Sequence, residues 1–177
     1  MKDQVTKFKW FWVWQDNSEE KWLEEMSRQG YHLTSVGLPC IYTFMKSEPV
    51  DYAYRLDYCR FSNKEKQHYL QIFRDAGWEY LGEMSLWQYF RKQEKAGEVN
   101  EIFTDGTSKI SKYRRVLGYL GLLWLVLLCI VLERITNLPP SMPWWGHVQV
   151  FIIIVLVLMT YAITRTWLRI RQLRMSD

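Results

Sequence analysis

Three histidines and three cysteines are the side chains best suited to metal ligation or nucleophilic catalysis in this sequence, and their spacing favours neither. His32, His68 and His147 are scattered, and no H-x-x-x-H pair, C-x-x-C pair or acidic loop accompanies them. The convergent donors that zinc or calcium needs are therefore lacking. His32 follows the helix-ending Gly30 and reads as a surface or cap residue rather than a ligand. A thiol nucleophile at Cys40 or Cys59 requires an activating base that the spacing does not reveal. Glycine-rich phosphate loops and the G-x-S-x-G elbow are absent from the sequence as well. We expect no enzymatic activity, no metal and no cofactor.

Two further groups invite a binding role. Glu19, Glu20, Glu24 and Glu25 form a dense acidic group near the start of a predicted helix, where they suit the positive end of its dipole. They read as a solvated face rather than a docking surface for a basic partner. Trp10, Trp12 and Trp14 alternate with Phe11 and Val13, so both sides of a strand there would be apolar. Aromatics on a sheet also serve RNA binding, but the strands lack the K/R-G-F-G-F type of core and interleave acidic residues with the rings. We expect no nucleic-acid partner.

The elements that position these residues follow from composition. The chain has 177 residues, 49% hydrophobic and 16% aromatic, with a net charge of +4. That length suits about one ordinary domain, and the apolar share excludes a disordered chain. Residues 116–132 and 148–163 carry no charge, and each is long enough to cross most of a ~30 Å hydrocarbon core. Neither has the polar stripe of a soluble helix. Lys109, Lys112, Arg114 and Arg115 precede the first run, and Arg165, Arg169, Arg171 and Arg174 follow the second. The connecting loop, Glu133 to His147, carries only Glu133 and Arg134. Excess Lys and Arg mark the cytoplasmic side, which places both termini inside a multi-pass cell-membrane protein. Ile135, Leu138, Trp144 and Trp145 extend the spans into the interface. The run Phe8 to Trp14 is too short, and too interrupted by Lys9, for a secretory signal.

The remaining hundred residues contain an internal repeat at an offset of 47. EEKWLEEMSRQGYHL from Glu19 aligns with KQHYLQIFRDAGWEY from Lys66. The matched apolar residues, such as Trp22 with Tyr69 and Met26 with Phe73, share one helical face. Gly30 and Gly77 fall where a left-handed residue ends each helix. Asp16–Asn17–Ser18 and Ser62–Asn63 supply caps at the starts. Strand-like runs bracket each helix: Lys7–Trp14, Ile41–Lys46, Asp51–Arg60 and Leu86–Lys92.

The resulting order, β-α-β-β-α-β, predicts an α+β protein with a ferredoxin-like cytoplasmic domain at 1–100. It predicts one four-stranded antiparallel sheet, both helices on one face, and the other face open. A basic juxtamembrane linker at 101–115 follows, with a turn at Asp105–Gly106 and a helix cap at Thr107 or Ser108. The transmembrane hairpin occupies 116–164, with spans about 116–134 and 146–164, and a basic tail runs over 165–177. Lys112, Arg114, Arg115, Arg165 and Arg169 are the candidate anchors to anionic lipid headgroups.

The series EEKWLEEMSRQGYHL, YTF, YAYRLDY, FRDAGWEYLGEM, WQYFRK and EIFTDGTSKISKYRR resembles domain-of-unknown-function family 2812 over about Lys9 to Arg115. The resemblance implies a membrane-anchored protein of Gram-positive bacteria with two C-terminal spans and no assigned activity. It also implies a regulatory setting, since the genes of members often sit beside regulators of the PadR type. The sequence thus predicts a non-enzymatic regulatory or sensory membrane protein whose cytoplasmic domain binds a protein partner or a second copy. Small-ligand sensing on the aromatic face is the alternative. Trp10, Trp12, Tyr54 and Tyr58 are the candidate contact residues in either case.

Overall fold

A computed structural model of the chain describes residues 3–60, 63–95, 97, 100, 102, 106–136 and 145–176. It divides into two compact units, Met1–Ser108 and Lys109–Asp177.

In the first unit the elements are β1 (Gln4–Phe8), α1 (Asp16–Arg28), β2 (Tyr31–Gly37), β3 (Ile41–Lys46), β4 (Tyr52–Tyr58), α2 (Asn63–Asp75), β5 (Glu79–Met84) and β6 (Trp87–Gln93). They build two three-stranded antiparallel sheets, ordered β1-β3-β2 and β4-β6-β5. The expected single four-stranded, ferredoxin-like sheet does not form, because each half adds a strand directly after its helix. Bulges hid both added strands: the register shifts between Leu33 and Ser35 in β2 and between Tyr80 and Gly82 in β5. An extra residue at such a point breaks the period-two pattern by which a strand is read.

The two halves share one order, β-α-β-β, and close their helices alike. Gly30 and Gly77 have φ of +81° and +84°, and their N–H groups donate to the carbonyls of Ser27 and Arg74 at 2.9 Å each. The halves differ in their connections. Seven residues, 9–15, separate β1 from α1, whereas four, 59–62, separate β4 from α2, and the hairpin turn is 38–40 in the first half against 85–86 in the second.

The expected strand over Lys7–Trp14 is shorter and earlier. β1 ends at Phe8, and Trp10–Trp14 lie in the loop. Gln15 turns the chain there: its N–H donates to the Trp12 carbonyl at 2.8 Å, and its Oε1 accepts from the Trp12 N–H at 3.0 Å. Gln15 also takes the N-cap position of α1 without a side-chain cap bond, so Asp16, Asn17 and Ser18 fall inside the helix. Ser62 lies outside the described residues.

The main core joins both halves. Leu23 and Met26 of α1 pack with Leu33, Tyr42 and Phe44 from the first sheet and with Tyr54, Leu56, Met84 and Tyr89 from the second. A smaller cluster sets Phe73 of α2 beside Ala53, Trp78 and Phe90. This arrangement overturns the solvated reading of the acidic group. Glu19 and Glu20 are buried, Glu24 is half-buried and only Glu25 is exposed. Glu20 accepts the Leu56 N–H at 2.9 Å, and Glu24 accepts the Tyr54 N–H at 3.4 Å and the Arg55 guanidinium at 2.7 Å. Four residues of helix rise about 6 Å and two residues of strand about 6.6 Å, so an i, i+4 carboxylate pair matches alternate N–H groups on the outer edge of β4. His32 is likewise buried, between the Ser27 hydroxyl (3.0 Å) and the Glu48 carbonyl (2.8 Å).

The second unit consists almost wholly of α3 (Gly106–Thr136) and α4 (Trp145–Ser176). Ile110–Glu133 and Gly146–Met175 are long and apolar enough to cross a membrane. The Trp124 indole N–H donates to Thr160 Oγ1 at 3.0 Å, joining the two helices. The turn at Asp105, the side chains of Thr107, Ser108, Arg134, Ile135 and Trp145, and all of Leu138 and Trp144 lie outside the described residues.

Candidate functional site

A pocket of about 270 Å³ opens in the first unit at the places where its two halves differ. One wall is the loop before α1, with Trp10, Phe11 and Trp12. A second is the turn Leu38–Pro39–Cys40, whose Cys40 carbonyl accepts the Lys9 N–H at 3.2 Å and so ties turn to loop. The β5–β6 turn adds Met84, Ser85 and Trp87. Because the longer loop and longer turn belong to the first half alone, the second half has no counterpart to these two walls.

The rings are fixed mainly by one another. Trp10 and Trp12 stand edge to face at 5.7 Å, Trp12 stacks on Trp14 at 5.3 Å, and Phe11 meets Tyr42 edge-on at 6.4 Å. Such geometries add modestly to area burial. Phe11 also lies on Trp22, and the Lys9 ammonium sits 4.7 Å from the Trp22 ring.

Two of the lining residues are acidic. Asp16 and Glu19 are only 2% and 6% exposed, yet both contribute to the pocket. Tyr42 and Tyr89 donate their hydroxyls to the same oxygen, Glu19 Oε1, at 2.7 and 2.6 Å. Burial raises the Glu19 carboxyl above its ordinary value; the two hydroxyls counter that rise, and the nearby Asp16 charge adds to it. Burial, reinforced by the Glu19 charge, also pushes both phenols well above their ordinary range. Tyr42 and Tyr89 are therefore lasting donors.

Of the residues singled out from the sequence, Trp10 and Trp12 line this pocket and are substantially exposed. Tyr58 reaches it at one remove, with its ring 5.1 Å from Trp87. Tyr54 does not join them: it is 1% exposed and belongs to the core. Asp16, Glu19, Tyr42 and Trp87 were not anticipated. Glu19 carried a signal of a kind, since it opens the repeated helix while its partner at the same offset is Lys66. Among the described residues no group of three or more His, Cys, Asp or Glu side chains is placed to hold a metal ion. In the second unit Arg114, Arg115 and Arg165 are exposed and Arg169 is half-buried. Lys112, expected among these outward cations, is 5% exposed with its ammonium 5.2 Å from the Tyr113 ring.

A family model described as "Protein of unknown function (DUF2812)" matches residues 15–128. The chain is a DUF2812 protein. The DUF2812 match begins at Gln15, so it takes in Asp16, Glu19 and Tyr42 but leaves the Trp10–Trp12 wall outside. It continues through β6 into α3, joining the α/β unit to the first long apolar helix. No curated protein and no solved structure matches the chain.

Proposed function

We propose that this DUF2812 protein is a non-enzymatic, membrane-anchored sensor whose α/β unit binds a small ligand in the Trp10–Trp12 pocket. In this reading α3 and α4 form a transmembrane hairpin with both termini in the cytoplasm, and the ligand-bound unit acts in a regulatory or signalling pathway. The observation that carries the reading is the placement of the pocket. It arises where the first half departs from the second, and its lining is largely apolar with two buried acidic residues, Asp16 and Glu19, among it. Sites that combine apolar walls with a few fixed polar groups are the usual form of small-molecule sites.

The test is a thermal-melting screen of the full-length protein in mild detergent against a broad panel of metabolites, with Trp12→Ser in parallel. A binder stabilises the folded state by mass action. The expected result is a rise of several degrees with at least one chemical class, lost in the variant. The absence of a shift from every class overturns the reading.

A second reading, docking of a protein partner, is favoured by one feature. Phe8, Trp10, Trp12, Leu38 and Ile41 are all exposed, and Phe8 faces Ile41 in the β1–β3 register. An affinity pull-down from native membranes distinguishes it. A PadR-type regulator, recovered with wild type and lost with Trp12→Ser, would support docking over ligand sensing.

A further inference from the structure

We infer that the tip formed by the Trp10–Trp12 loop and the Leu38–Cys40 turn docks on the anionic surface of a lipid bilayer. The inference rests on the transmembrane reading of α3 and α4 above, which supplies the bilayer, and not on a ligand in the pocket. Phe8 pairs with Ile41 where β1 ends and β3 begins. The Lys9 N–H bond to the Cys40 carbonyl then holds the loop beside the turn, and Trp10, Trp12 and Leu38 line one pocket. Five large apolar side chains thus gather at one end of the first sheet, all exposed, Phe8 and Leu38 to 66% and 69%. A cluster of this kind marks an interaction surface.

Three features select a bilayer over a protein partner. The rings come first: an indole joins an apolar body to a polar N–H, the combination that settles at the membrane–water boundary. Charge is the second. Residues 7–15 and 37–42, which contain the tip, carry Lys7 and Lys9 and no Asp or Glu. Lys9 is exposed, whereas Asp16 and Glu19 are buried, and Glu83 of β5 pairs with Lys66 at 2.7 Å. Bulky apolar groups beside uncompensated lysines suit anionic headgroups and the acyl boundary beneath them. The third feature is size. Five side chains are few beside the roughly 20–30 residues a side of a standard protein interface. A chain already anchored in the bilayer needs no larger patch, because its tip then meets lipid in an intramolecular step.

The experiment is hydrogen–deuterium exchange on the full-length protein, one copy per nanodisc, in phosphatidylcholine containing about one-quarter phosphatidylglycerol. A Phe8→Ser/Ile41→Ser variant runs beside it. Both side chains are exposed and neither lines the pocket, so the core and the ligand site are left in place. We expect the amides of 9–15 and 37–40 to exchange at least about fivefold more slowly in the wild type than in this variant. The gap should shrink by at least about half in phosphatidylcholine alone. A second variant, Lys9→Gln, keeps every apolar side chain; it should exchange faster than the wild type in the anionic discs and like it in phosphatidylcholine. Wild-type exchange in both variants overturns the inference and leaves the anchor and ligand readings standing. A gap of equal size in the two lipids overturns the choice of an anionic surface. Protection that needs two copies per disc makes a second copy the occupant and overturns the inference equally. Failure of the chain to enter discs overturns the anchor reading and this one with it.

Discussion

The hydroxyl of Tyr89 donates to Glu19 Oε1 at 2.6 Å, across 70 residues of sequence. Tyr42 donates to the same oxygen from the other sheet, so one buried carboxylate fastens the first helix to both halves of the fold. Each of these bonds ends on a buried carboxyl oxygen, where an unmade hydrogen bond would be costly.

Removing one donor therefore weakens the fold measurably. Tyr89→Phe and Tyr42→Phe should each cost about 1–3 kcal/mol. The double variant should cost more than the sum, because the last donor leaves Glu19 buried without a phenol. Thermal melts of the three variants in detergent, analysed as a double-mutant cycle, check this coupling.

Stability should also depend on pH through Glu19. Its raised value means that the folded chain holds the proton more tightly than the unfolded chain does. Its contribution is then complete below the ordinary value of 4.5 and is lost as pH rises through the folded value. Glu19→Gln retains the acceptor and removes the titration. The wild type should therefore lose ground to the variant steadily as pH climbs from 4.5, and a constant difference would contradict it.

Equivalent glycines should respond unequally to alanine. At both Gly30 and Gly77 a side chain meets the strain of a left-handed backbone, about 1 kcal/mol or more. A Cβ on Gly30 would also clash with the Ser47 carbonyl oxygen, whereas one on Gly77 meets only the end of the Lys92 side chain at 3.4 Å. Gly77→Ala should cost about 1–2 kcal/mol, and Gly30→Ala at least about 3 kcal/mol, enough to reduce folded yield.

The edge of β4 gives another test. Glu20→Ala should remove the bond from the Leu56 N–H and cost about 1–3 kcal/mol, while Glu20→Gln, which keeps an acceptor, should recover most of the loss. Equal melting temperatures for the two variants would show that the Leu56 bond contributes nothing.

What could be read from the sequence was what local chemistry dictates. Gly30 and Gly77 announce helix ends because their backbone conformation is one that few other residues adopt. The two long apolar helices follow from uncharged runs that no polar stripe interrupts. Misreadings arose where a distant partner decides the outcome. Glu19, Glu20 and Glu24 have the pattern of a solvated face, and distant partners such as Tyr89, Leu56 and Arg55, more than 30 residues away, make them interior. The strands Tyr31–Gly37 and Glu79–Met84 were lost to their bulges. The Trp10–Trp14 segment is aromatic in both parities, so its sequence gave no hint that Gln15 would fold it into a loop rather than a strand.

The Trp124–Thr160 bond bears on how the two long helices move. Thr160 also back-bonds to the Leu156 carbonyl at 2.8 Å, so its hydroxyl hydrogen is spent within α4 and its oxygen is turned toward the indole. In the bilayer proposed for these helices, a displaced indole N–H would find no water to replace its acceptor. Sliding α3 past α4 by one turn, or rotating either about its axis, would break this contact. The bond thus favours α3 and α4 moving together over a piston stroke of one helix alone.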